Sequence, residues 1–255
     1  MRYNASPFDG LPVVVKNLLI INGIFFIVMI TGLGNFGGTD MDSWFGLHYF
    51  SSPLFKPWQL VTHMFMHAGP DGSRTWIFHI IFNMFGLFMF GPPLEYKWGS
   101  KRFLAYYLVV GVGAALLYSG VHTLEYYSAA SQLSAEELEY ARNGRVLDPQ
   151  NYANAYQVYK ILHGNLIGAS GAISGLLLAF GMTYPNVELM VFPLPFPVKA
   201  KYLVLSMAGL SIYLALRNNP GDNVAHLAHL GGMVVGFILI RLWRNRGDNG
   251  FGWGR

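Results

Sequence analysis

Apolar residues fall in long, nearly unbroken runs, and the segments between them are rich in Gly, Pro and charge. A helix that crosses a bilayer needs about 20 mainly apolar residues. Six stretches reach that length: about 12–33, 76–94, 102–122, 165–184, 201–217 and 224–243. Lipid leaves backbone N–H and C=O groups no partner outside the chain, so runs of this length read as helices. The pattern predicts an all-α fold, a polytopic membrane bundle of six transmembrane helices. Residues 1–11 form a polar N-terminal segment in this reading, 12–243 the membrane domain, and 244–255 a basic, Gly-rich tail expected to be disordered. The apolar run from Leu11 is long for a signal peptide and is taken as a retained span, with Lys16 reaching back to the interface.

Composition sharpens this picture. The chain is 53% hydrophobic and 12% charged, against about 25% charged in soluble domains. Cysteine is absent, which removes disulfides and thiol catalysis. The net charge of +4 is small, and its placement carries more information. Lys97, Lys101 and Arg102, Lys199 and Lys201, and Arg241, Arg244 and Arg246 all fall on one side if the N-terminus is cytoplasmic. Positive residues favour the inside, so both termini are expected in the cytoplasm. Nothing basic or periodic suggests nucleic acid.

Two outer loops stand out. The first, about 34–75, holds Trp44, Phe45, Tyr49, Phe50, Phe55 and Trp58, with Trp76 at its end. Aromatic residues at this density suit the membrane interface. The second, about 123–163, is polar. Ser134-Ala-Glu-Glu137 has the form of a capping box and Gly144 of a helix end, so one short exposed helix is expected in an otherwise solvated spacer.

Polar residues inside spans are costly and mark function by default. The second span carries His79 and Asn83, the fourth Ser170 within Gly168-Ala-Ser-Gly171, and the sixth His226 and His229. All three spans run in the same direction, and these residues lie roughly 5–10 Å below its outer end at about 1.5 Å per residue. Gly171-x-x-x-Gly175 and Gly232-x-x-x-Gly236 repeat the small-residue spacing that lets membrane helices meet backbone to backbone. That meeting would bring Ser170 near His229. A serine needs a base to become a nucleophile, and His229 can take its proton, with His226 one turn earlier as a rival base. His79 and Asn83 share a helix face and can donate to an oxyanion, as can the Ser170 backbone N–H. No carboxylate falls mid-span, so a dyad is expected in place of the aqueous triad. Taken singly, each residue also has a plain packing role, and His229 could serve a proton relay.

The motif set Trp58-Gln-Leu-Val-Thr-His63-x-x-x-His67, His79-x-x-x-Asn83, Glu95-x-x-x-Gly99-Ser100, Gly168-Ala-Ser170-Gly171 and Ala228-His229-x-x-Gly232-x-x-x-Gly236 resembles the rhomboid intramembrane serine proteases of the bacterial six-span type, over about residues 12–243. The resemblance implies Ser170 as nucleophile, His229 as general base, and an oxyanion hole of His79, Asn83 and the Ser170 backbone. It implies transmembrane proteins as substrates, the bilayer as the setting, the bacterial inner membrane as the location, a water-filled cavity above the serine, and no cofactor or metal. Gln59 stands where the family often has Arg, and Ser174 where some members carry a Tyr against the histidine. The second outer loop is longer than in a minimal member.

Three rival readings follow from the same residues. The nearest is a catalytically inactive rhomboid relative that binds membrane proteins without cutting them. A transporter would be expected to show paired broken helices or an inverted repeat, and neither is visible. His63 and His67 have metal-ligand spacing, but the residues between them lack the glutamate of a zinc protease.

Overall fold

The computed structural model describes residues 10–33, 40–69, 76–145, 152–191, 195–217 and 223–245. Most of the two expected polar ends, at 1–9 and 246–255, lies outside the described residues. The long apolar runs become α1 (Val13–Ile30), α4 (Trp76–Trp98), α5 (Ser100–Ala130), α8 (Ser170–Thr183), α9 (Ala200–Leu216) and α10 (Asn223–Asn245). Among the described residues, four helices are long and apolar enough to cross a membrane: α1, α4, α5 and α10. The two others, α8 and α9, are shorter apolar helices. Their outward faces expose large apolar side chains, including Ile24, Ile27, Phe82, Leu205 and Leu216. A surface this apolar over so many helices needs lipid, not water, as its solvent. The chain is a helical membrane protein.

Several span boundaries move. The helix predicted over 102–122 runs on to Ala130. At about 1.5 Å per residue its 31 residues extend about 46 Å, well past the roughly 30 Å hydrocarbon core. The span predicted from 165 begins only at Ser170, because Asn165–Leu166 is a short strand and Gly168 has φ +117°. At the other end of the chain α10 reaches Asn245, so Arg244 is helical and not part of a tail.

Packing follows residue size. Gly99, at φ +80°, turns the chain between α4 and α5 without a loop. Beside it the buried Glu95 carboxylate accepts from Val14 N (3.0 Å), Val15 N (2.8 Å) and Ser100 Oγ (2.6 Å). One side chain on α4 thus satisfies donors at the start of α1, whose own N-cap, Pro12, offers no side-chain cap. The main core gathers Phe103, Tyr106, Tyr107, Leu87, Leu94, Leu176 and Ile240. Within it the Tyr106 hydroxyl donates to Gly175 O (2.9 Å), in space that a Cβ on Gly236 would occupy.

The two segments expected as outer loops are folded among the described residues. The first forms α2 (Met41–Phe45), β1 (Leu47–His48), α3 (Gln59–Thr62) and a 3-10 turn (His63–Phe65). Trp44 and Trp58 stack, both partly exposed. Gln59 is fully buried and organises the loop. Its Oε1 accepts from His48 N and Lys56 N, and its Nε2 donates to Ser43, Trp44 and Leu54 carbonyls. The second loop does carry the expected capped helix, α6 (Ala135–Arg142), with both capping-box bonds formed and Gly144 at φ +72°. It is not a solvated spacer, however. A further helix, α7 (Ala153–His163), buries Ala155, Val158, Ile161 and Leu162. Ala141, Val158, Ile161 and Leu162 form a cluster with Tyr126 of α5 and Tyr49 of the first loop.

Candidate active site

The segment leading to Ser170 is fixed before the helix begins. Strand β2 (Asn165–Leu166) pairs antiparallel with β1, Leu47 opposite Leu166 and His48 opposite Asn165. His48 Nδ1 lies 3.0 Å from Gly164 O, and Asn165 Nδ2 donates to Asp42 O. Gly168 N then donates to His63 O (2.8 Å). These bonds tie the strand to the loop over residues 40–69, and the positive φ of Gly168 swings the chain into α8.

Ser170 is therefore the first residue of α8 and not several residues inside a span. The first backbone bond of that helix is Ile173 N to Ala169 O. The N–H groups of Ser170, Gly171 and Ala172 have no partner in the helix ladder, which leaves donors at the start of α8. A small cavity of about 10 Å³, lined by His63, Met64, Leu166, Gly168, Ser170 and Ala228 among others, touches this helix end. That volume suits one water molecule.

The crossing of α8 and α10 is made by the predicted glycines. A Cβ on Gly232 would lie 1.9 Å from Gly171 O, one on Gly175 would lie 3.0 Å from Gly232 O, and one on Gly236 would lie 3.4 Å from Gly175 Cα. A Cβ on Gly171 would lie 3.4 Å from Ala228 O. Gly171 and Ala228 are the chain neighbours of Ser170 and His229, so the two candidate reactive side chains leave adjoining backbones. Helix α5 closes the third side, with Ala114 against both Gly171 and Gly231.

His79 and Asn83 sit one turn apart on α4. His79 Nε2 is 2.8 Å from the position of a Cβ on Gly168, and Ser170 Oγ is 3.8 Å from the same point. His79 therefore borders the serine. Asn83 is buried and donates from Nδ2 to His79 O (2.6 Å), while its Oδ1 has no partner. The amide's second N–H stays available for donation. The rings of His226 and His229 are 6.1 Å apart and nearly perpendicular, so an edge-on histidine stands beside His229. Ser174, at the place of the family's tyrosine, is buried on α8.

Two backbone contributions, at Gly168 and Ala68, were not legible in the sequence. Gly168 reads there only as part of a serine motif, whereas its φ and its contact with His79 make it a spacer between two helices. Ala68 carries no signal at all, yet its N–H donates to His79 Nδ1.

Comparison with known proteins agrees with the motif set. The rhomboid domain profile matches residues 54–246. The rhomboid protease AarA of Providencia stuartii is 27% identical over 185 residues, which is 71% of this chain and 54% of that protein. The mitochondrial RHOMBOID-like protein 12 of Arabidopsis thaliana is 27% identical over 179 residues, 70% of this chain and 44% of its own length. The mitochondrial rhomboid protein 1 of Saccharomyces cerevisiae is 25% identical over 179 residues, covering 70% and 41% respectively. The chain thus spans about half the length of these relatives, or less. With the profile covering most of the chain and the glycine crossing in place, this chain belongs to the rhomboid family.

Proposed function

We propose that this protein is an intramembrane serine endopeptidase that cuts transmembrane segments of other membrane proteins. The observation that carries the reading is the contact of Gly171 with Gly232 and Ala228, which sets Ser170 and His229 on neighbouring backbones with His79 beside the serine. In this reading His229 takes the Ser170 proton as Oγ attacks the scissile carbonyl. The oxyanion receives hydrogen bonds from the Ser170 N–H, His79 and Asn83. The protonated His229 then gives its proton to the leaving amine, and water releases the acyl group from Ser170 by the reverse path.

The topology belongs to the same proposal. Helices α1, α4, α5, α8, α9 and α10 would be six spans of a membrane domain over 12–243, with cytoplasmic segments 1–11 and 244–255 in a bacterial inner membrane. The 14 residues of α8 extend about 21 Å, short of a hydrocarbon core of about 30 Å. A helix that reaches the inner face would then begin roughly 9 Å below the outer one, which sets Ser170 inside the bilayer but near its outer edge.

A fluorophosphonate probe needs no substrate and tests the reading directly. Purified wild type in detergent should label, and Ser170→Ala should not. His229→Ala should lose both labelling and cleavage of a transmembrane substrate in liposomes. Full cleavage by Ser170→Ala would defeat Ser170 as the nucleophile, whereas a wild type that neither labels nor cleaves would be read as a rhomboid relative that binds without cutting.

A further inference from the structure

An imidazole can help an oxyanion only if its proton sits on the nitrogen that faces it. In a neutral ring one nitrogen donates and the other accepts, and the choice is set by what the ring's other side touches. In His79 that side is occupied. Ala68 N approaches His79 Nδ1 at 3.3 Å. A backbone N–H only donates, so Nδ1 is the acceptor and the proton belongs on Nε2. Nε2 is also the atom that borders Gly168 and, across it, Ser170.

A second contact holds the ring. His67 lies against it, with ring centroids 5.3 Å apart at 57°. His67 is 1% exposed, and neither of its ring nitrogens has a hydrogen-bond partner. It therefore serves His79 as packing and does not compete for its nitrogens. The loop is itself fixed, because His63 O accepts from Gly168 N and His63 Nδ1 lies 2.9 Å from Gln59 O.

We propose that the Ala68 backbone N–H, with the His67 ring beside it, is a positioning device that holds His79 as the Nε2–H tautomer directed at the Ser170 pocket. This rests on the protease reading for its consequence but not for its geometry. The loop over residues 40–69 then does more than pack against the helices: it sets the proton on a side chain of α4.

The test removes one hydrogen. Lactic acid in place of Ala68 turns that amide into an ester and deletes the donor. Ala68→Pro deletes it by another route, and Ala68→Gly keeps it. Nitrogen-15 NMR of histidine-labelled protein, assigned with His79→Asn, reads the tautomer. The wild type should carry the proton on Nε2 alone, and the ester should show a mixture. Turnover of the ester and of Ala68→Pro should fall by between about tenfold and about a hundredfold, the scale known for hydrogen bonds that orient metal-bound histidines. KM should stay within about twofold, since the interaction acts in the transition state. Ala68→Gly should match the wild type. An Nδ1–H tautomer in the wild type, or an ester variant with unchanged tautomer and rate, overturns the proposal. If wild-type Ser170 fails to label with fluorophosphonate, the protease reading falls, and the NMR spectra alone decide the role of Ala68.

Discussion

Gly171 and Gly232 touch through their backbones, so closely that a methyl group on Gly232 would stand 1.9 Å from the Gly171 carbonyl oxygen. Neither helix can yield there without losing the register that keeps the backbones of Ser170 and His229 side by side. Gly232→Ala should force α8 and α10 apart. We expect fluorophosphonate labelling to fall at least tenfold and thermal stability in detergent to drop by about 1–3 kcal/mol, the usual cost of overpacking a core. Gly209, with nothing within 4 Å of its added Cβ, is the control, and Gly209→Ala should label like the wild type.

Gly168 makes a different prediction. Its φ of +117° lies in a region that side chains avoid, and a Cβ there would press on His79 Nε2 at 2.8 Å. Gly168→Ala should therefore cost about 1–3 kcal/mol in backbone strain and move the imidazole away from Ser170. Turnover should fall more than stability does. Parallel measurement of kcat and of the unfolding midpoint separates the two effects, and equal loss in both would show a merely structural glycine.

Asn83 donates to the carbonyl of His79, one turn back on its own helix, and keeps a second N–H free. As one oxyanion donor among several in the proposed reaction, it should matter less than the proposed Ser170–His229 pair. Asn83→Ala should lower kcat by the equivalent of about 2.7–4 kcal/mol, as loss of one oxyanion donor does in a soluble serine protease. Binding of a transmembrane substrate, read by fluorescence quenching, should be unchanged.

What could be read from the sequence depended on the scale of the feature. The spans of α1, α4, α9 and α10 follow from hydropathy within a few residues, because lipid imposes one length on every helix. The glycine crossing was legible from the four-residue spacing of 171/175 and 232/236. Helix α7 was missed because its apolar positions, Ala155, Val158, Ile161 and Leu162, lie in a polar loop, and their partners Tyr49 and Tyr126 are distant in the chain. The true start of α8 was hidden because Asn165 and Leu166 suit a helix as well as a strand, and pairing with Leu47 and His48 decides between them. Gln59 stood out only as a departure from the family pattern. Its five bonds depend on carbonyls and amides that a sequence does not position.

That glutamine supports a prediction about the loop. Gln59→Leu has a similar volume but leaves His48 N, Lys56 N and three carbonyls without this partner. Unsatisfied buried donors cost about 1–3 kcal/mol each, so a loss on the order of 2–4 kcal/mol is expected. The damage should be local. Limited proteolysis should open between residues 40 and 69 while the helical circular dichroism signal holds. Cuts confined to the second outer loop would contradict the clamp.

The same loop should be sensitive to acid. Burial pushes the His63 imidazole down to about 4 from its ordinary value near 6.5. It pushes His67 down to about 3, with the nearby His79 adding to the effect. The folded loop thus refuses protons that the unfolded chain would bind. Its stability is fully present above pH 6.5 and declines as pH falls from there toward about 4 and about 3. At pH 5 each histidine should cost on the order of 2 kcal/mol. Proteolysis between residues 40 and 69 should therefore accelerate between pH 7 and pH 5. His63→Gln, which cannot titrate, should flatten that dependence even if it is less stable at pH 7. An unchanged cleavage rate across this range in the wild type would mean that the two rings are hydrated, not buried.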